Sequence, residues 1–391
     1  MTSFQISAPG RVFLCGDHVV SFGNQVVAAS LNLRTTLKFH KLPLEERIVK
    51  IELPKVDISL NIPLERITSL ISDGETFNLI IDEYSSFLRY VRYFNSFNQL
   101  WTTFEQKFSL EIFFFLLYVI AQNEKLAIQP FYVHLTTVLP MNAGLGSSTS
   151  FATCLAACFL HWSYLERGDH SGFTPEKLER ISGYVMSYEK ILWQYKQDHI
   201  ICTYGHVTAF QYRDQLNVQR EIINTPEINI LLVDANICLD KNQQMQQLTD
   251  MKNRNDKALN DHLSEIKNRS QNMISTLYLI RDLRINTDLR IHGLKGSYQD
   301  LQANLSWNQM ALSGLNLSHS NFNTINSIAQ NCGFGGKSTG VGASKAIIPL
   351  LPNSYHLISY KRKISKLMKN LNESNFNSQI TTISCTGVRL E

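Results

Sequence analysis

The sequence has no marked excess of charge of either sign. Its 37 lysines and arginines against 33 aspartates and glutamates leave a formal net charge of +4. Such a balance gives no electrostatic footprint for nucleic acid or an anionic membrane, and neither partner is expected. Long apolar runs are missing too. The most apolar stretch, Ile112–Ala121 (IFFFLLYVIA), is far shorter than the roughly 20 residues that cross a bilayer, and it reads as a core helix. The opening MTSFQISAPG lacks the basic and apolar regions of a secretory signal. The seven cysteines form no CxxC pair, which argues against a zinc site and a disulfide framework. Reduced thiols in a cytoplasmic setting are expected. Cys154 and Cys158, four apart on one helix face, read as packing residues. Internal repeats and low-complexity tracts are also missing.

What is present is the composition of a soluble globular protein, 391 residues long and 44% hydrophobic, with room for two sizeable cores. A boundary near 220–228 divides it into residues 1–225 and 226–391. β-branched patterning predicts strands at 4–8 and 26–41, with Gly10, Gly16 and Gly23 at turns. A helix over 106–122, a strand at 131–138 and a helix over 147–165 follow. Thr174 before Pro175 opens another helix, to about 193. Strands are expected at 203–213 and 227–234, and polar helix over 241–289. The remaining expectations are a helix at 321–332, a strand at 344–351, a basic helix at 359–371 and a strand at 380–390. The cluster Lys361-Arg362-Lys363 reads as the solvated face of its helix.

Two glycine loops compete for a phosphate. GFGGKSTGVGASKA, Gly333–Ala346, ends like a P-loop, but Asn331 stands where the first glycine belongs. A P-loop also follows a strand and precedes a helix, the reverse of what is expected here. PMNAGLGSSTS, starting at Pro140, has the required order: strand, small residues, helix. A helix N-terminus offers free N–H groups and the positive end of a dipole to an anion. Gly144 and Gly146 let backbone approach phosphate without a Cβ in the way, and Ser147, Ser148 and Thr149 add hydroxyls.

Three separated segments, APGRVFLCGDHVVSFG (Ala8–Gly23), PMNAGLGSSTS and KSTGVGASKA, resemble in order and spacing the signature segments of the GHMP small-molecule kinases. Gly16-Asp17-His18 is similar to the G-E-H of that superfamily, and SLNLRT, Ser30–Thr35, is similar to its eukaryotic mevalonate kinase family. The resemblance implies an α+β fold: an N-terminal ribosomal-protein-S5-like α/β domain that binds ATP, and a C-terminal ferredoxin-like α+β domain. It implies ATP and Mg²⁺ as cofactors and mevalonate as the small-molecule substrate, phosphorylated to 5-phosphomevalonate in isoprenoid and sterol precursor synthesis. A homodimer stays open. So do a different hydroxyl substrate, galactose- or phosphomevalonate-like, and a catalytically silent ligand-binding homologue.

The resemblance also assigns roles. Asn142, Ala143, Gly144, Leu145, Gly146, Ser147 and Ser148 would wrap the ATP phosphates, with Thr137 upstream and Arg11 beside them. Ser148 and Glu189 would ligate Mg²⁺. Asp198 would be the catalytic base, since Asp198–Gly205 is similar to the family's D-N-x-x-S-T-x-G, and Arg11 would support it. Asp17, His18 and Thr203 would contact the substrate.

Several positions depart from the family pattern. Arg11 replaces a lysine. The third segment has Ala343, Ser344, Lys345 and Ala346 where the family has glycines, so a looser loop is expected, with Lys345 pointing to solvent. The connection from Glu189 to Asp198 is short, and Asp240 replaces a threonine near the substrate.

Overall fold

The structure, a computed structural model, describes residues 2–16, 22–74, 81–192, 198–212, 218–237, 239, 241–285, 291–340, 342–352 and 358–391. Asp17, His18 and Asp240 lie outside the described residues.

The chain opens with two long strands, β1 (Ser3–Cys15) and β2 (Val26–Lys41), then β3 (Ile48–Leu53) and β4 (Ile58–Pro63). Three helices, α1 (Leu64–Gly74), α2 (Ile81–Phe97) and α3 (Phe104–Glu124), lead to β5 (Phe131–Thr137). Next come α4 (Ser147–Glu166), α5 (Pro175–Leu192), α6 (Asp198–Tyr204), β6 (Val207–Tyr212), β7 (Val218–Ile223) and β8 (Ile228–Asp234). The remainder comprises α7 (Lys241–Asn253), α8 (Lys257–Ile285), α9 (Ile291–Gly314), α10 (Ser320–Asn331), β9 (Lys337–Ser338), β10 (Lys345–Leu350), α11 (Ile358–Glu373), β11 (Ser378–Ile383) and β12 (Arg389–Leu390).

The strands form one 12-stranded sheet, with the path β4-β3-β5-β2-β11-β8-β10-β9. β2 is its hub. Val26–Ala29 pair with β6, Leu31 with Ile383 of β11, and Thr35–Lys41 with β5, while β1 runs antiparallel along β2. The residues of β2 match these neighbours. Val26 to Leu31 are buried without a break, as befits a segment covered on both faces. Farther on, burial alternates: Leu37 and Phe39 point inward, Lys38 and His40 outward.

α3 begins with a capping box, in which Thr103 accepts from the Gln106 backbone and the Gln106 side chain reaches back. Its middle is buried all round, so it lies inside the molecule rather than on it. Phe113, Phe114 and Phe115 are fully buried, each contributing roughly 1.5–3 kcal/mol of apolar burial. They pack with Phe39, Phe131, Phe159 and Trp162 between the sheet and α4. α8 and α9 cover a second core that includes Leu14, Leu31 and Ile230, while α10 and α11 cover a third over β8 and β10. Cys154 and Cys158 are buried in the first core, as their packing role requires. Among the described residues no helix is long and apolar enough to cross a membrane.

Two expected strands are broken up. The segment expected as strand from 203 starts only at Val207, because Asp198–Tyr204 is helical. The last expected strand splits into β11 and β12 around Ser384, whose φ of 63° interrupts extended backbone. α9 was not expected. Its glycines at 293, 296 and 314 mask a clear helical period of buried residues: Leu294, Tyr298, Leu301, Leu305 and Leu312.

Candidate functional site

The earlier glycine loop joins β5 to α4. At its entrance the Thr137 hydroxyl accepts from the Leu139 amide (3.1 Å) and from Thr35 Oγ1 (3.0 Å), which fixes the chain as it leaves the sheet. Asn142, Gly144 and Gly146 then take positive φ, 55°, 69° and 73°. This path buries the side chains of Ala143 and Leu145 and leaves Gly144, Gly146, Ser147 and Ser148 partly accessible. Gly146 caps α4 without a side-chain hydrogen bond, so the amides of the first turn are offered outward. The loop sits tight on β1. The Arg11 amide donates to Leu145 O at 2.9 Å. A Cβ on Gly10 would come within 2.8 Å of that same carbonyl, and one on Gly146 within 2.8 Å of Arg11 Cγ.

Arg11 links this loop to α6. Its Nε lies 2.8 Å from Asp198 Oδ1, its Nη1 donates to Gly144 O at 2.6 Å, and its guanidinium stacks 4.3 Å from the centre of the Phe13 ring. The two side chains are 10% and 3% exposed, so the pair acts in a medium far less screening than water. Asp198 is the first residue of α6, and its carboxylate faces the Arg11 cation.

Glu189, near the end of α5, is also buried. Thr149 Oγ1 donates to Glu189 Oε1 at 2.5 Å, and His199 Nδ1 lies 3.1 Å from Glu189 Oε2. Ser148 stands next to Thr149 in the chain but is not the residue that meets Glu189. Thr203, the next-to-last residue of α6, is buried at 1% exposure, and its hydroxyl has no hydrogen-bond partner among the described residues.

The later glycine segment forms the opposite wall. The Phe13 amide donates to Thr339 O at 3.2 Å, and the buried Lys337 ammonium donates to Phe13 O and Ser338 O. Gln309 and Gln244 accept from the amides of Ser338 and Gly342. A Cβ on Gly144 would lie 3.0 Å from Ala343 Cα. The loss of glycines here therefore does not loosen the contact: Ala343 is fully buried against the phosphate-type loop. Lys345 does not point to solvent either. It pairs with Asp234 on the adjacent strand β8.

No family model matches the chain. Among curated proteins, the mevalonate kinase of Dictyostelium discoideum is 25% identical over 404 residues, covering 99% of this chain and 96% of that protein. The human mevalonate kinase is 24% identical over 370 residues, 88% of this chain and 85% of that one. This chain is a relative of the mevalonate kinases. The crystal structure of the Methanococcus jannaschii mevalonate kinase superposes with a TM-score of 0.67 at 16% identity, covering 99% of both chains. The chain thus has the GHMP kinase fold.

For a mevalonate kinase relative, the question is whether these residues suit a divalent cation beside nucleotide. Among the described residues no three His, Cys, Asp or Glu side chains converge into a metal cage. Mg²⁺ does not need one. It is commonly held by one or two carboxylates, with the remaining ligands coming from substrate phosphates and water. The buried Glu189 carboxylate, held by Thr149 in the first turn of α4, is a hard-oxygen donor of that kind. Sequence reasoning named Thr149 only as one of the loop's hydroxyls, not as the partner of Glu189, and passed over His199. The one signal was His199 itself, which replaces the asparagine of the D-N-x-x-S-T-x-G pattern.

Proposed function

We propose that this chain transfers the terminal phosphoryl group of ATP to the hydroxyl of mevalonate. The similarity to mevalonate kinases along the whole length of the chain carries this reading. The site geometry gives it a mechanism. Amides of Gly144 to Ser148 and the first turn of α4 hold the phosphates, and Ser148 and Glu189 would hold Mg²⁺, which would supply charge neutralisation of the triphosphate. Asp198, kept ionised by Arg11, accepts the proton of the attacking hydroxyl, a role worth typically 10²–10⁴ in rate. Arg11 stays charged throughout and stabilises the developing negative charge. The buried Thr203 hydroxyl, without a hydrogen-bond partner among the described residues, stands on the same short helix as Asp198 and suits a polar group of the substrate. Residues 1–225 supply most of these groups; the segment around Gly340–Ala343 closes the site from the second part of the chain. A cytosolic enzyme of isoprenoid precursor synthesis is the setting this implies.

A coupled assay of ADP release with ATP, Mg²⁺ and mevalonate, galactose, homoserine or phosphomevalonate tests the proposal. Turnover with mevalonate well above the others is expected. Turnover with galactose alone, or tight nucleotide binding with no turnover on any substrate, overturns it.

A further inference from the structure

Two glutamines, Gln244 on α7 and Gln309 on α9, reach the later glycine segment, and they are 9% and 1% exposed. Gln244 Oε1 accepts from the Gly342 amide at 2.9 Å, and its Nε2 donates to Leu317 O at 2.9 Å. Gln309 Oε1 accepts from the Ser338 amide at 2.9 Å, and its Nε2 donates to Ser318 Oγ at 2.7 Å. These partners fix both side-chain amides, because a backbone N–H only donates and the oxygen must face it. Each glutamine thus ties the segment to the same place, Leu317 and Ser318 in the connection from α9 to α10. That connection is itself held. The Leu317 amide donates to Leu312 O at 2.9 Å, and the Leu317 side chain is buried with Leu248, Met251 and Leu259.

We propose that Gln244 and Gln309 are positioning residues that press the later glycine segment against the phosphate loop and so set the shape of the nucleotide's phosphate site. The segment touches that site at several points. The Ser344 amide donates to Ala143 O at 3.4 Å, Ala343 packs on Gly144, and a Cβ on Gly340 would lie 3.5 Å from Arg11 Nη1. Glutamine suits the task because it is neutral, long, and both donates and accepts. Removing it leaves a buried loop amide without an acceptor, which costs the full desolvation of that N–H unless the segment moves. A segment that moves gives up its contacts with Ala143 and Gly144. Where the family pattern has a run of glycines, this chain has Ala343 to Ala346, and the two glutamines bond to the backbone on either side of the turn that leads into them. The inference rests on Asn142–Ser148 being the phosphate loop.

The experiment is calorimetric titration of the full-length protein with Mg²⁺ and AMP-PNP, a non-hydrolysable ATP analogue. Gln244→Met and Gln309→Met keep side-chain length and remove both hydrogen bonds. Each is expected to weaken AMP-PNP binding about 10-fold. The double variant is expected to lose less than the product of the two, because both act on one segment. Gln247→Met is the control. Gln247, also on α7, donates to Leu315 O and Asn316 O beside the same connection but has no bond to the glycine segment. It is expected to bind within about 3-fold of the natural protein, which general loosening of α7 would not allow. If the natural protein binds AMP-PNP and Gln244→Met and Gln309→Met bind equally well, or Gln247→Met loses as much as they do, the clamp is overturned and the phosphate site stands. If the natural protein does not bind AMP-PNP, the phosphate-loop reading fails, and the clamp fails with it. Amide hydrogen exchange of the natural protein needs no variant. The Ser338 and Gly342 amides are expected to exchange slowly, and more slowly still with AMP-PNP bound. Exchange at the rate of an open chain overturns the clamp.

Discussion

Arg11 makes three contacts at once: the Asp198 carboxylate, the Gly144 carbonyl and the face of Phe13. A lysine has one ammonium and no planar fork, so it cannot reproduce all three. Arg11→Lys, a change back to the family residue, is therefore expected to loosen the phosphate loop rather than raise the rate. Loss of a charge-assisted hydrogen bond of about 1.5–3 kcal/mol predicts a rise of roughly 10-fold or more in the KM for ATP. The pH profile separates the two cations. Arginine stays protonated at any working pH, whereas a buried lysine has its pKa lowered, so the variant loses activity as pH rises and the natural protein keeps it. Superimposable alkaline limbs for both proteins would remove Arg11 from the charge chemistry. Asp198→Asn is expected to lower kcat by about 10² or more while ATP binding, read by calorimetry, stays within a few-fold. An unchanged kcat removes Asp198 as the base. The sequence pointed to Arg11, Glu189 and Asp198 because their types match a motif. It did not point to Thr149 as a partner of Glu189, because a hydrogen bond between residues on separate helices exists only once those helices are packed.

At the level of elements, α4 serves both the site and the core. Its first turn offers amides to the cleft, while its later turns bury Trp162 and His161. This helix was legible because a strand, small residues and a long apolar run follow one another in the sequence. The β3–β4 hairpin was not, since its short strands carry lysine, glutamate and serine among their apolar residues. His161 lies edge-on to Phe4 at 4.8 Å and to Phe173 at 5.8 Å, and its Nδ1 has no partner among the described residues. Burial, with Lys177 nearby, lowers its pKa from 6.5 to about 4. The unfolded chain thus binds this proton at a higher pH than the folded one. Stability from the neutral ring is complete above pH 6.5 and is lost as the pH falls toward 4. Between pH 7 and pH 5 the loss through this group is about 2 kcal/mol. His161→Phe keeps an aromatic between Phe4 and Phe173 and removes the titration. Urea unfolding at the two pH values is expected to show a smaller drop for the variant; equal drops would show that the ring does not titrate in this range.

Across the whole molecule, the end of the chain determines where α6 sits. Composition and patterning gave a mixed α/β protein, but not the order of its strands. That order depends on pairs such as Leu31 with Ile383, which join opposite ends of the sequence. After β11 the chain turns at Ser384 and passes beneath the end of α6. Ser384 N donates to Ser30 O, His206 N to Cys385 O, and Val388 N to Thr203 O at 3.1 Å. The segment between β11 and β12 approaches the helix so closely that only glycine fits. A Cβ on Gly387 would lie 2.1 Å from Thr203 O, which is backbone and cannot swing aside. A methyl group there must push α6 away, and Asp198 begins that helix. Gly387→Ala is therefore expected to cost about 1–3 kcal/mol, the usual range for overpacking, and to lower the melting temperature by several degrees. It should also lower kcat, since a small shift of Asp198 breaks its alignment with the hydroxyl. Affinity for ATP should change less, because the loop and first turn of α4 do not touch Gly387. Thermal unfolding and steady-state kinetics of this single variant check the argument. A protein that melts and turns over like the natural one would mean that the C-terminal segment does not hold α6 in place.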